Sequence, residues 1–305
     1  MRRAFLITYS SLLFISLLFL SMESVYAKKK KKGNKIKVLL IDGQSKNHNH
    51  WKEWTPVLLK QLHDSGLFEI DVATSPIKGE SLDKFNPKFK NYKLIISLYD
   101  GDNWAARTQR SLERYISTGG GLVIVHGADN AFPLWPEYNE MIGLGGWGDR
   151  TETAGPYVFI DQNGEIIRDA SPGPGGHHGP KHSYIVENRA VDHPIMKGIP
   201  NQWLHTEDEL YDRLRGPANN MTILATAFSS PKYDGSNRHE PILMTVEYEE
   251  GHIFHTTMGH HKLALSCVGF MTTFIRGCQW AANKQVTFEI PEDFPSENSI
   301  SKRTY

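Results

Sequence analysis

Residues 119–128 have the sequence Gly119-Gly120-Gly121-Leu122-Val123-Ile124-Val125-His126-Gly127-Ala128, and this stretch decides the fold class. Its apolar run is continuous rather than alternating, which is typical of a parallel strand covered on both faces. The run ends directly in His126, so a polar ring follows a buried strand at a sharp turn. A ring in that position must find a polar partner or face a cavity.

Strand and helix patterns alternate around this stretch. Continuous apolar segments predict three further strands, and apolar residues at helical spacing predict two helices. The expected order is strand, helix, strand, strand, helix, strand. This order predicts an α/β fold of three layers with a mostly parallel sheet. The predicted strands cover residues 35–42, 68–73 and 92–98, and the predicted helices cover 51–62 and 107–117.

Residues 131–180 lack a regular pattern and are rich in Gly, Pro and aromatic residues. Such a long insert is usually disordered or functional, and its aromatic content predicts an ordered segment that helps to form a site. With no internal boundary in view, we expect one domain over 36–290 and a tail over 291–305. The later predicted elements are strands at 183–186, 221–227, 242–248 and 252–257, a helix at 264–282 and an edge strand at 286–290.

The first residues have the pattern of an export signal. Arg2 and Arg3 precede an apolar run from Leu12 to Leu20, and Val25-Tyr26-Ala27 has the form of a cleavage site. We therefore expect a signal peptide over 1–27, a basic linker over 28–35 and an exported, periplasmic protein. The alternative is an uncleaved membrane anchor formed by residues 4–20, because the lysines that follow Ala27 resist translocation.

The formal net charge of zero hides a division along the chain. Residues 1–37 hold nine cations and one anion, which leaves 25 cations and 33 anions for the rest. An acidic body repels a phosphate backbone, so nucleic acid is not an expected partner. The sequence is compatible with both a monomer and a homo-oligomer. Cys267 and Cys278 both fall in the predicted last helix, too far apart along it for a disulfide, and are expected to be buried free thiols.

Polar side chains follow four of the predicted strands. In parallel sheets, ligands bind outside the carboxyl ends of the strands, because the loops there face one crevice. Asp42 and Asp100 also fit simple turns, and His48 and His50 also fit caps of the first helix. The rule selects Asp42 with His48, His50 and Trp51; Asp100 and Trp104; His126 and Asp129; and His260 with His261.

Two further segments are dense in ionisable groups. In the run from His205 to Glu209, Asp208 or Glu207 could supply a base or a metal ligand, although Thr206 and Glu209 also fit a helix capping box. The Gly176–His182 loop suits a divalent metal, since neutral imidazole binds Zn²⁺ and similar ions. No HExxH or CxxC spacing supports such a cofactor. The candidate metal ligands are His178, His182 and His205.

At these residues the sequence resembles the ThuA-like family, which is named for trehalose utilisation and shares the fold of class I glutamine amidotransferases. No single motif is specific, but the order and spread of the pieces over residues 36–285 support the resemblance. The matching pieces are His50-x-x-x-Trp54-Thr55-Pro56, the 119–128 stretch, the Gly-His-Gly-Pro loop at 176–180 with a doubled His, 192–200, Asp208-Glu209-Leu210-Tyr211, and Gly259-His260.

The resemblance implies a flavodoxin-like domain in which His126 occupies the place of the amidotransferase nucleophile. An imidazole cannot replace the thiolate that forms an acyl enzyme, so glutaminase chemistry is not expected. The family association with 3-keto sugars and 3-keto glycosides implies an enzyme that removes the proton beside the ketone, followed by elimination, hydrolysis or isomerisation.

For this chemistry, we expect His126 or His260 to transfer the proton, with Asp129 and Asp208 orienting the rings or acting as base. Four tryptophans fit either a sugar-stacking face or a place in the core: Trp51, Trp104, Trp135 and Trp147. A non-catalytic carbohydrate-binding protein and a metal-dependent hydrolase of another substrate remain alternatives. The expected substrate-binding residues are His50, Trp51, Asp100, Trp104, His178, Glu207 and Glu209.

Overall fold

Five parallel strands build the half of the sheet that the apolar runs predicted. The structure is a computed structural model that describes residues 35–45 and 51–305. Each neighbouring pair among these five strands is parallel, so their carboxyl ends meet at one edge. In sheet order they are β2 (Phe68–Thr74), β1 (Ile36–Asp42), β3 (Leu94–Ser97), β4 (Gly121–Val125) and β13 (Gly251–Thr256).

The sheet continues beyond β13 with antiparallel strands, so the whole sheet is mixed. The additional strands, in sheet order, are β12 (Arg238–Tyr248), β11 (Met221–Ser229), β8 (His182–Asn188) and β9 (Gln202–Asp208). A short branch pairs with β12 through β5 (Tyr157–Ile160), which in turn pairs with β6 (Ile166–Asp169). A separate two-stranded ribbon consists of β7 (His177–His178) and β10 (Tyr211–Asp212).

Helices cover both faces of the parallel half. In β1, Val38 and Leu40 belong to one buried cluster and Leu39 and Ile41 to the other, because successive side chains of a strand point to opposite faces. The expected three-layer α/β fold is therefore confirmed. One face carries α1 (Trp51–Asp64), α4 (Lys262–Leu265) and α5 (Val268–Asn283), and the other carries α2 (Ala106–Ser117) and α3 (Pro136–Ile142).

The antiparallel half of the sheet curls back toward the parallel half. β9 stands four positions from β13 in the sheet, which would place the two roughly 19 Å apart if the sheet were flat. The backbone nitrogen of Gly259, three residues after β13, nevertheless lies 2.7 Å from the carboxylate of Asp208 at the end of β9. The curl therefore brings the end of the last strand to the carboxyl edge of the parallel strands.

The insert over residues 131–180 is ordered, as its aromatic content indicated. It contains α3, β5, β6 and β7. The Arg150 guanidinium, which is buried, donates to the carbonyl oxygens of Asn130, Ala131 and Gly146. One fixed cation thus replaces the regular hydrogen bonds that this part of the backbone lacks.

The predicted last helix is interrupted. α4 ends at Leu265, α5 begins at Val268, and Cys267 between them is extended, so the expected placement of Cys267 inside the helix was wrong. The C-terminal segment occupies the break: Val268 donates to the carbonyl of Ser301, and Arg303 donates to that of Ser266. Cys267 and Cys278 are both buried and free, as expected.

One further local prediction and one alternative interpretation were also wrong. Residues 286–290 form no strand, because Gln279 accepts the backbone N–H groups of Thr287 and Phe288, and Arg276 donates to the Phe288 carbonyl. The Thr206–Glu209 pair does not cap a helix, because Thr206 lies within strand β9. In both cases, contacts between segments distant in sequence override a local pattern.

The predicted signal peptide and most of the basic linker lie outside the described residues. Within the part of the chain that the structure does describe, no helix is both long and apolar enough to span a membrane.

Candidate active site

His126 occupies a strained turn at the carboxyl end of β4. Its φ of +46° lies in the left-handed region, which costs an L-residue about 1–2 kcal/mol. Strain of this kind is concentrated at functional sites. The ring is fully buried, and its Nδ1 lies 2.6 Å from the Thr257 carbonyl oxygen, which can only accept. Nδ1 therefore carries a hydrogen, and Nε2 of the neutral ring is left as an acceptor.

Glu209 and His260 meet His126 at this edge of the sheet. Glu209 directly follows β9, and His260 lies in the loop that follows β13. An oxygen of Glu209 lies 3.8 Å from Nε2 of His126, and the other lies 3.2 Å from Nε2 of His260. All three side chains are buried. We call these three residues the central cluster; one ligand atom from each lies within 4.8 Å of the others, which is close enough to hold a metal ion.

The carboxylate of Asp208 fixes the backbone that carries two of the three cluster residues. Its Oδ1 accepts the backbone N–H of Glu209 at 2.9 Å and that of His260 at 3.0 Å. Its Oδ2 accepts the N–H of Gly259 at 2.7 Å and Nε2–H of His205 at 3.1 Å. With four donors on a buried carboxylate, Asp208 is suited to hold the site in position rather than to accept a proton.

Gly259 makes this arrangement geometrically accessible. Its φ is +109°, and a Cβ at this position would lie 2.8 Å from the side chain of Leu265. An L-residue with a side chain is strained at this φ, so glycine suits the turn that presents two backbone N–H groups to Asp208.

Opposing effects set the charges of the cluster. Burial would lower the pKa of His126, but the carboxylates of Glu209 and Asp208 and the Thr257 carbonyl outweigh it, so the pKa is raised. Burial would raise the pKa of Glu209, but His126, His260 and His178 outweigh it and lower the pKa. Burial and the surrounding charges thus act in opposite directions on the pKa of both residues, and the surrounding charges have the larger effect.

The buried side chain of His205 pairs with Asp208 and stabilises its charge. Burial would raise the pKa of Asp208, but the hydrogen bond from His205 outweighs it and lowers the pKa to about 2. Burial would lower the pKa of His205, but Cys267 and Asp208 outweigh it and raise the pKa to about 10. His205 is thus a cationic partner for Asp208, and it is wholly buried.

Aromatic rings surround the central cluster. The Tyr211 ring centroid lies 4.2 Å from that of His126, and the Trp54 ring lies 6.1 Å from His126 and 6.2 Å from His260. Trp147, a half-buried residue of the insert, lies 4.6 Å from Tyr211. These rings exclude water from one side of the cluster and leave Trp147 with a partly exposed surface.

The ribbon of β7 and β10 forms the more exposed side of the site. His178, opposite Tyr211 in the ribbon, places Nε2 3.7 Å from Oε2 of Glu209, and its side chain is 37% exposed. Nζ of Lys181 lies 4.0 Å from Oε1 of Glu209. The rule that selects residues after the carboxyl ends of predicted strands did not select Lys181 or Tyr211, because neither directly follows such a strand.

Buried carboxylates anchor this ribbon. Asp212 accepts from Nδ1 of His177 at 2.9 Å, from Oγ of Ser229 at 2.6 Å and from the backbone of Ser236 at 2.9 Å. Ser236 in turn donates to Glu240 at 2.6 Å. Burial is the main cause that raises the pKa of Glu240 to about 7, and the nearby Asp212 charge adds to it.

Asp129 and Asp100 have other contacts. Asp129 is buried 3.3 Å from Nε2 of His255, whereas the group that orients His126 is the Thr257 carbonyl. Nδ1 of His255 lies 2.9 Å from the Ile142 carbonyl oxygen, so Asp129 and His255 form a buried pair separate from the central cluster. Asp100 is buried after β3, where its backbone bridges to Ser45.

Several other candidates lie in the core or on the surface. Trp104 and Trp135 are buried in the cluster beneath α2 and α3, which matches the core alternative for them. Trp51 is the first, half-exposed residue of α1, whereas His50 lies outside the described residues. Glu207 is exposed, because it alternates with Asp208 along β9.

The three candidate metal ligands are not brought together. His205 is committed to Asp208, and His182 stacks on Tyr233 with ring centroids 3.8 Å apart. Only His178 adjoins the central cluster.

The position of a cavity does not identify this site. A cavity of about 500 Å³ lies among residues 86–93 and 111–120, which precede β3 and β4. The chemistry is therefore located by its side chains and not by this cavity, which lies at the opposite edge of the parallel sheet.

The family follows from comparison with known proteins. A model of the ThuA family, described as trehalose utilisation, matches residues 37–281. The chain belongs to the ThuA family. Its flavodoxin-like fold places the central cluster of this ThuA-family member where the strand-end rule located His126 and His260. No curated protein matches the chain.

Solved structures agree with this assignment. A ThuA-like protein from Parabacteroides merdae shares 44% identity and a TM-score of 0.84, covering 88% of this chain and 98% of that one. A second ThuA-like protein, from Bacteroides uniformis, shares 18% identity and a TM-score of 0.55, covering 81% and 91% of the two chains. The second likeness concerns the fold alone.

We predict that Asp208→Asn lowers the free energy of unfolding by about 3–5 kcal/mol, because it leaves His205 buried without its counter-charge. The matched control is Glu207→Gln, an exposed neighbour on the same strand, with an expected effect of about 0.5 kcal/mol or less. Urea unfolding of both variants measures the difference. Equal stability of the two would contradict the positioning role.

We also predict that Glu240 makes stability depend on pH. Its folded pKa of about 7 exceeds its ordinary value of 4.5, so its contribution is fully present below pH 4.5 and is lost as the pH rises through 7. The loss amounts to about 3 kcal/mol. Glu240→Gln mimics the neutral acid and should remove this slope in urea unfolding from pH 4 to 8, while the exposed Glu69→Gln should keep it. An unchanged slope in Glu240→Gln would refute the assignment.

Proposed function

We propose that this ThuA-family member is an enzyme of carbohydrate metabolism that acts on sugars or glycosides with a ketone at C3. One observation carries the proposal: His126, Glu209 and His260 converge at the carboxyl edge of the parallel strands, with His178 beside them. The description of the family as trehalose utilisation supports a carbohydrate substrate. Imidazole and carboxylate are the groups that most often transfer protons near neutral pH.

The ketone determines the reaction. It acidifies the proton on C2, so a base can remove that proton while the electron pair moves to the ketone oxygen. The enolate then expels the group on C1: the C1–O bond breaks, a double bond forms between C1 and C2, and a proton passes to the departing oxygen. Addition of water to this product completes a hydrolysis. If the enolate instead takes up a proton on the other face of C2 before the C1–O bond breaks, the result is isomerisation.

The site contains groups for each step. Nε2 of His126 is the proton acceptor, since the Thr257 carbonyl holds the hydrogen of the neutral ring on Nδ1. Lys181 and His178, on the more exposed side of Glu209, are placed to stabilise negative charge on the ketone oxygen. The half-buried Trp147 provides an apolar face for a sugar ring.

Glutamine amidotransfer does not fit this site. His126 occupies the turn after β4, and both cysteines are buried away from solvent. Acyl transfer from glutamine requires an accessible thiolate.

A second candidate function is carbohydrate binding without turnover. The aromatic surface of Trp147 beside Tyr211 favours it, because stacking on a sugar ring needs no proton transfer. Binding of a plain disaccharide without any product would support this candidate over the enzyme.

We predict that His126→Asn lowers kcat on a 3-keto disaccharide by about 100-fold to 10,000-fold, which is the usual contribution of general acid–base catalysis. Asn tolerates the left-handed backbone of residue 126 and lacks the imidazole. Exchange of the C2 proton with D2O, followed by mass spectrometry, should fall in parallel. The control is His63→Asn, an exposed position on α1.

Two results would oppose the proposal. One is wild-type turnover by a folded His126→Asn variant. The other is the absence of both product and C2 exchange for wild-type protein on a panel of 3-keto glycosides.

We further propose that the chain is exported through its N-terminal segment. Arg2, Arg3 and the apolar run from Leu12 to Leu20 support this proposal. Expression in a bacterium with an outer membrane should give periplasmic protein that begins after Ala27, whereas a chain without residues 1–27 should stay in the cytoplasm. Full-length protein in the membrane fraction would indicate the uncleaved anchor instead.

A further inference from the structure

The central cluster has the donor set of a transition-metal site. Two imidazoles and one carboxylate are the three protein ligands of many catalytic zinc and iron centres. Ligands about 2.1 Å from a tetrahedral zinc ion lie about 3.4 Å from one another. One oxygen of Glu209 lies 3.2 Å from Nε2 of His260 and the other lies 3.8 Å from Nε2 of His126, and one ligand atom from each of the three residues lies within 4.8 Å of the others, so small side-chain movements would bring the set to this spacing.

The orientation of His126 favours a cation in the cluster. Its Nδ1–H is bonded to the Thr257 carbonyl, so the lone pair of the neutral ring is on Nε2. That lone pair faces an oxygen of Glu209 across 3.8 Å, beyond hydrogen-bond distance. Two acceptors that face each other in a buried site need a positive group between them.

The same carboxylate fixes both other ligands. Asp208 accepts the backbone N–H groups of Glu209 and His260, and it is itself held by His205. Groups that orient the ligands in this way are a regular part of metal sites, because they restrict the side chains before the metal binds.

The side of the cluster that carries His178 and Lys181 is its more exposed side. His178 and Lys181 lie beside Glu209 and are partly exposed, whereas the three cluster residues are buried. Three protein ligands with an open position are typical of catalytic rather than structural metal sites.

We propose that His126, Glu209 and His260 bind one divalent transition-metal cation, with Zn²⁺ as the first choice. Mixed nitrogen and oxygen donors suit zinc and its neighbours, whereas Ca²⁺ and Mg²⁺ prefer oxygen donors alone.

The catalytic consequence of this cation rests on the proposed function, although its binding does not. With a cation bound, the lone pair of His126 would be a metal ligand, so His178 would take the C2 proton in place of His126. The cation would supply positive charge for the ketone oxygen, and Lys181 would keep the role proposed for it above.

The competing state is a proton in place of the metal. A protonated His126 would form an ion pair with Glu209 and satisfy the same atoms. Direct measurement of metal binding separates the two states.

The test is calorimetric titration of the chelator-treated full chain with ZnCl₂, together with the visible spectrum of the CoCl₂-loaded protein. We expect one equivalent of Zn²⁺, a Co²⁺ spectrum of low coordination number and a Zn²⁺-dependent rise in Tm. Glu209→Gln and His260→Asn should each weaken binding more than about 100-fold, since even outer groups contribute 10-fold to 100-fold. Glu69→Gln, an exposed residue on β2, is the control.

Absence of binding by the wild-type protein would overturn the proposal, and so would binding that both cluster variants retain. Circular dichroism shows whether each variant is folded. If one variant does not fold, the other, on a different segment of the chain, still tests the proposal. One bound equivalent without action on 3-keto glycosides would refute the proposed function and leave the metal site intact. Turnover that persists after complete metal removal would refute the catalytic role of the cation and leave the enzyme intact.

Discussion

The site depends on one buried carboxylate. Asp208 ends the last strand of the sheet and binds the loop after β13, four strands away, through backbone N–H groups. Because these bonds close the curl of the sheet, they join the antiparallel half to the parallel half. Without that closure, Glu209 would lie on a distant edge strand, and His126 and His260 would face no carboxylate from it. The imidazolium of His205 keeps Asp208 charged in a place that excludes water.

The sequence identified the residues whose positions follow from local pattern. Continuous apolar strands located β1, β3 and β4, and the strand-end rule located His126 and His260. The role of Glu209 could not be recognised in this way, because β9 is polar in sequence and becomes a strand through its pairing with β8. A capping box was one local interpretation of Thr206 and Glu209, and the strand at Gln202–Asp208 shows it to be wrong.

The positions of the tryptophans likewise depend on contacts between distant segments and not on local pattern. The sequence places Trp104, Trp135 and Trp147 in similar loop-rich surroundings, yet the first two are buried in the core and the third borders the site. Which tryptophan faces the site depends on how the insert folds across the sheet, and Arg150 fixes that fold by binding carbonyl groups from distant turns. Composition cannot show such a contact.

The break between α4 and α5 connects a segment distant in sequence to the site. Ser301 and Arg303 bind backbone groups within that break, and α4 directly follows the loop of His260. A change in residues 301–303 can therefore act on the loop of His260 through α4.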